Sequence, residues 1–150
     1  SPPTDEATML IQALAILATA LFTGAALYVS AVEQPARIAL SVEIAIAEWR
    51  PSYRRATVMQ ATLAVLGTLL GIAAGIASGG AIWIVAAFVL SAVVPFTLFV
   101  MWSTNKRLED PALDLSSSEA RALLGRWGRL HAVRTVISLA ALLLMLLAGL

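Results

Sequence analysis

The chain has 150 residues, 60% of them hydrophobic and 13% charged. A soluble domain is nearer half apolar and a quarter charged, so this composition asks for lipid, not water, as the solvent of most side chains. A net charge of +1 with no basic patch argues against nucleic acid as a partner, and the absence of cysteine excludes disulfides, zinc–thiolate sites, iron–sulfur clusters and redox dithiols.

The first charge-free run, Ala7 to Val32, has 26 residues. At ~1.5 Å per residue it crosses a ~30 Å hydrocarbon core with room for tilt, and a span is expected over about 8–32. No basic residue precedes it and it is longer than an h-region, so it reads as a span and not as a signal peptide. In the next segment, about 36–49, Ile38, Val42, Ala45, Ile46 and Trp49 share one helical stripe, with Arg37, Glu43, Glu48 and Arg50 off it. That pattern predicts a short amphipathic helix lying in the membrane interface. Pro51 suits the first turn of the helix that follows.

The second charge-free run, Ala56 to Asn105, has 50 residues. It predicts two spans, about 54–77 and 81–104, returning at Ser78-Gly79-Gly80. Lys106 to Leu115, with Asp110-Pro111, is a polar loop. The last run, Thr135 to Leu150, has 16 residues, fewer than the ~20 a span needs. The fourth span, about 128–149, therefore carries His131 and Arg134 into or near the membrane. Ser116 and Glu119 have capping-box spacing, which extends this helix back to about residue 117. The fold class is an all-α integral membrane four-helix bundle in one domain, with the interfacial helix between spans one and two.

Orientation follows from the basic residues. Arg37, Arg50, Arg54 and Arg55 lie between spans one and two. Lys106, Arg107, Arg121, Arg126, Arg129 and Arg134 lie between span three and the apolar part of span four, and these account for all ten Lys and Arg. Both charged connections are expected in the cytoplasm, and both termini on the other side of the cell membrane.

Polar residues in a bilayer are costly and ask for a reason. On helix one, Gln12, Thr19, Thr23, Ser30, Glu33, Gln34 and Arg37 share a stripe; on helix two, Tyr53, Gln60, Gly67, Gly71 and Ser78 share another. Trp127, His131, Arg134 and Ser138 fall within about 60° of each other on helix four. Pro95 frees the Ser91 carbonyl on helix three, and Asn105 ends that span. All four helices thus deliver their strongest polar groups to one leaflet. A pocket built from Glu33, Arg37, Tyr53, Asn105, Trp127, His131 and Arg134 is the expectation, with Trp49 beside them. Each member also has a structural reading. Glu33, Arg37 and Arg134 suit an ion-pair knot, and His131 suits a packing residue. Trp49, Trp102 and Trp127 suit an inner aromatic belt, and Trp83 an outer one. Gly67, Gly71 and Gly75 form a small-xxx-small seam for close helix approach, within the bundle or in a homo-oligomer. One histidine and a few carboxylates fall short of a metal ligand set, so no metal is expected.

Several blocks resemble a bacterial and fungal family of small four-helix membrane proteins, mostly of unknown function, whose best-known relatives are the fungal anthrone oxygenases. They are Gly24-Ala25-Ala26-Leu27-Tyr28, Val32-Glu33-Gln34-Pro35-Ala36-Arg37, Trp49-Arg50-Pro51-Ser52-Tyr53, Pro95-Phe96-Thr97-Leu98, Thr104-Asn105-Lys106-Arg107-Leu108 and, most specific, Arg126 to Thr135. Many members carry His where this chain has Gln34 and Pro where it has Ser103, which puts a two-histidine or metal mechanism in doubt here. The resemblance implies oxygenation of an electron-rich polycyclic phenol, with O₂ as co-substrate and no cofactor. His131 would be the base, oriented by Glu33. Arg134, Tyr53 or Asn105 would stabilise the oxyanion, Trp127 would stack on the rings, and Arg37 and Trp49 would complete the substrate contacts. A second reading is a non-catalytic accessory subunit or a binder of a quinone, lipid or pigment; a transporter comes third. Cavity shape separates the first two. An enzyme needs an apolar pocket of hundreds of Å³ reaching His131, and a structural protein fills that space.

Overall fold

Asp5 starts the first helix: its carboxylate accepts from the Thr8 N–H at 2.7 Å, satisfying a backbone donor that the first turn leaves free. In the computed structural model, which describes residues 5–150, four long helices follow: α1 Glu6–Ile38, α2 Val42–Ser78, α3 Ala81–Glu109 and α4 Ser118–Ala148. All four are long and apolar enough to cross a membrane, and they form a four-helix bundle. Each helix packs on its chain neighbours, α1 closes the ring against α4, and the diagonal pair α2 and α4 meet mainly through long side chains.

The expected interfacial helix at 36–49 is not a separate element. Residues Gln34–Ile38 are the last turn of α1, the chain reverses over 39–41, and Val42 opens α2. Ser41 caps α2 by accepting from the Ile44 N–H. The apolar stripe does exist, but Val42, Ala45, Ile46 and Trp49 turn it into the protein core instead of toward lipid, while Ile38 is exposed. Pro51 accordingly lies inside α2 and not at a helix start. Ala47, whose carbonyl loses its partner, is exposed, so the missing bond leaves no buried acceptor. At the other end Gly79 takes a left-handed φ of 70° to return the chain into α3. The cap of α4 is Ser117, accepting from Ala120 N–H at 3.1 Å, one residue later than expected. With Ser117 as the cap, Glu119 is the second helical residue and not the third that a capping box needs, and its carboxylate pairs with Arg107 instead.

The core changes character along the bundle. At the end bearing the Gly79 turn, Ala15, Ala74, Ala86, Trp83 and Met145 pack together. Above them lie Phe22, Ala26, Ala64, Leu90, Val93 and Ala141. The glycine seam of α2 is spent here: a Cβ on Gly67 would lie 2.7 Å from Leu90 and 2.9 Å from Thr19, and one on Gly71 2.9 Å from Met145. A Cβ on Gly75 would run into Ile84. The seam therefore draws helices together inside the bundle. At the basic end no such seam exists, and Trp49, Trp127, Met101, Leu108 and Leu124 fill the interior. Trp49 and Trp83 are 0% and 1% exposed, so neither is a belt residue, whereas Trp102 is exposed with Lys106 over its ring.

Both α1 and α3 contain one π turn, at Val29–Glu33 and Thr97–Met101. Each inserts a residue into the helical repeat, and such turns recur at functional sites.

Candidate functional site

At the basic end, α1, α2 and α4 enclose a cavity of about 340 Å³. Glu33 and Arg37 come from α1, Trp49 and Tyr53 from α2, and Trp127, His131 and Arg134 from α4. Seven of the eight expected site residues thus meet around one space. Asn105 does not line it. Its amide is buried at 2% exposure with neither end hydrogen-bonded to protein, and Thr104 Oγ1 beside it is also unpaired. No α3 residue lines the cavity, and its rim includes Arg55, Thr57 and Met59, all exposed on α2.

One wall is aromatic. Trp49 stacks on Tyr53 with centroids 4.6 Å apart and planes 9° from parallel, the i, i+4 spacing of α2 placing one ring over the other. Trp127 meets Trp49 edge-on at 5.7 Å and His131 at 4.9 Å. The indole N–H groups of Trp49 and Trp127 are buried and unpartnered.

The three arginines on the lining are in different states. Arg37, 3% exposed, has a partner for each nitrogen: Nε donates to Glu48, Nη2 to Glu33, and Nη1 to Gln34 Oε1 at 2.7 Å. Gln34 in turn donates to the Leu124 carbonyl at 3.0 Å and packs on Gly128, where a Cβ would come within 2.9 Å of its Nε2. Gln34 therefore clamps α1 to α4 and does not line the cavity. The ion-pair knot is Glu33–Arg37–Glu48, without Arg134. Arg134 instead lies over the Phe22 ring at 5.6 Å and donates to Gln60 Oε1 at 3.0 Å. Its Nε is buried without a partner, and among the described residues no carboxylate lies within 4.0 Å of it. Arg55 likewise has no carboxylate partner.

His131, 2% exposed, is oriented by Ser30 and not by Glu33, which Arg37 occupies. Its Nδ1 is 3.0 Å from Ser30 Oγ, Ser30 Oγ is 2.8 Å from Thr135 Oγ1, and Thr135 Oγ1 donates to the Ala26 carbonyl at 3.1 Å. A carbonyl can only accept, so one assignment satisfies the whole chain. Thr135 gives its hydrogen to Ala26, Ser30 gives its own to Thr135, and Nδ1–H donates to Ser30. The other nitrogen, Nε2, then keeps its lone pair, and no described protein group occupies it. Ser30 and Thr135 were on the polar stripe and in the most specific block, and Thr135 sits one turn beyond His131; that spacing was the available signal for both. Gln60, one stripe position from Tyr53, was legible in the same way.

Among the described residues, no three His, Cys, Asp or Glu side chains come together as a metal ligand set. The chemistry on offer is an oriented imidazole, a cation and aromatic surface around one cavity. No curated protein and no solved structure matches this chain. Residues 49–144, from the Trp49 wall through His131 and Arg134 to the last turns of α4, match the anthrone oxygenase family, and the chain belongs to that family.

Proposed function

We propose that the protein oxygenates an electron-rich polycyclic phenol at an activated methylene without a resident cofactor. The observation that carries this is the hydrogen-bond chain from His131 through Ser30 and Thr135 to the Ala26 carbonyl beside a cavity of about 340 Å³ that His131 lines; with the assignment above, the Nε2 lone pair is free to take a proton. A cavity of that size suits a three-ring molecule. Nε2 takes a proton from the ring CH₂, and the electron pair spreads into the ring carbonyl, whose oxygen gains charge. Arg134 stands as the donor for that oxygen, and Tyr53 and Trp127 pack against the rings. The carbanion passes an electron to O₂, the two radicals join as a peroxide, and the imidazolium returns its proton. Loss of water leaves a carbonyl where the methylene was, so CH₂ and O₂ become C=O and H₂O.

The site faces the cytoplasmic leaflet of the cell membrane in this proposal, because every Lys and Arg lies on the helix segments toward the cavity end and none lies near the Gly79 turn or the chain termini. The test is turnover of a hydroxylated anthrone by the purified protein under ¹⁸O₂, read by mass spectrometry. One labelled oxygen in the new carbonyl is expected, with a fall of about 10²–10⁴-fold in His131→Ala. Tight uptake of the anthrone with no labelled product would assign the cavity to a non-catalytic binder.

A further inference from the structure

Lining charges at the cavity do not balance locally. On α1, Glu33 and Arg37 belong to the knot, which Glu48 completes; Glu33 and Glu48 are 26% and 43% exposed, so its surplus negative charge sits at the outer edge. On α2, Tyr53 is neutral and Arg55 stands at the rim. On α4, His131 and Arg134 face inward, and α3 contributes no charged or titratable group. Arg134 contacts Gln60, five residues beyond Arg55 along α2 or about 7 Å deeper. A guanidinium at that depth with an amide, an aromatic face and the neutral Tyr53 phenol nearby, but no carboxylate, is costly in a bilayer. Phe22 and Gln60 are both buried, so the cation is held in place toward the cavity and not free to snorkel.

We propose that Arg134 is the counter-ion of an organic anion, so that the cavity holds its aromatic ligand with a hydroxyl ionised, as phenolate, in the resting complex. This rests on the same cavity as the proposed oxygenation but concerns binding alone. The ligand class narrows to flat aromatics with an acidic hydroxyl; ethers and esters of the same skeleton lack the charge that Arg134 demands. An anionic phospholipid headgroup would offer the same chemistry, and the experiment separates the two.

The probe is 1,2-dihydroxyanthraquinone, whose phenol and phenolate differ in colour and which, already a quinone, is not a substrate for the reaction above. It is titrated in phosphatidylcholine nanodiscs with and without the full chain. Binding is expected to lower its apparent ionisation pH by one unit or more, a tenfold or larger change in ionisation constant. Arg134→Gln should abolish that shift and Arg134→Lys should keep part of it. The dimethyl ether of the dye should bind wild type at least about tenfold more weakly, a comparison that needs no variant. An unshifted or raised ionisation pH, a shift that survives in Arg134→Gln, or equal binding of the ether would each overturn the proposal. So would displacement of the dye by phosphatidylglycerol, which would make a lipid headgroup the occupant. Because the dye is inert, failure of anthrone oxygenation leaves this result standing, and the reverse holds too.

Discussion

At the scale of single residues, the site is organised by who holds which polar group. His131 is the only histidine in the chain, so a protein labelled with ¹⁵N-histidine gives one imidazole spectrum. Nδ1–H and an unprotonated Nε2 are expected in wild type. Thr135→Val removes the link that takes Ser30's hydrogen, and Ser30 then turns to donate to Nδ1. The tautomer should switch to Nε2–H, and turnover should fall at least about tenfold as the base is lost. A spectrum unchanged in Thr135→Val would sink the directed chain. Arg37 answers to stability instead. Arg37→Leu leaves Glu33 and Glu48 facing each other and is expected to cost about 3 kcal/mol, because a buried ion pair is broken. Glu48→Gln, at a half-exposed position, should cost less than about 1 kcal/mol. Thermal unfolding of the two variants in detergent separates these values. Most of this cast was visible in the sequence, since membrane polar residues are few and fall on helical stripes. The Glu33–Arg37 pair was legible as well, being an i, i+4 spacing on one helix. That Glu48 and not Arg134 completes the knot was not, because it depends on where another helix arrives.

At the scale of helices, charge-free runs located the four long elements, because a bilayer demands length and apolarity together. The segment 36–49 misled for a physical reason. An amphipathic stripe that faces lipid and one that faces a protein core have the same period, and the buried faces of Val42, Ile46 and Trp49 chose the core. The π turns were also hidden, since nothing in Val29–Glu33 or Thr97–Met101 marks an inserted residue. The connection from α3 to α4 carries a pH prediction. Asp110 accepts from the Ala112 N–H at 2.8 Å and from Arg107 Nη1 at 2.6 Å. Those partners, the backbone N–H first, hold its carboxyl below the usual carboxylate range. Its contribution to ordering the loop is therefore complete above the ordinary carboxylate pKa of about 4 and is lost as the pH falls through the lower folded value. Carboxyl and Ala112 amide NMR shifts, followed from neutral pH downward, should titrate together. In Asp110→Asn the Ala112 shift should stay flat.

For the whole molecule, the absence of cysteine makes sidedness directly measurable. Ser78→Cys and Ser116→Cys place single thiols at exposed positions on opposite ends of the bundle. In intact cells a membrane-impermeant maleimide should label Cys at 78 and spare 116, with 116 reacting only after the membrane is opened. The opposite pattern would invert the orientation drawn from the arginines. The cavity mouth has a separate consequence. Arg55, Thr57 and Met59 are exposed on a helix long and apolar enough to cross a membrane, so the opening is expected to meet lipid at the membrane interface and not bulk buffer. A molecule arriving there is counted per lipid and not per litre. Diluting a proteoliposome suspension with buffer should leave occupancy by a fully partitioned ligand untouched, whereas adding empty vesicles should lower it in proportion. Affinities for this protein therefore carry meaning as mole fractions in the bilayer, and the same ligand will look weak or strong in bulk units according to how much membrane shares it.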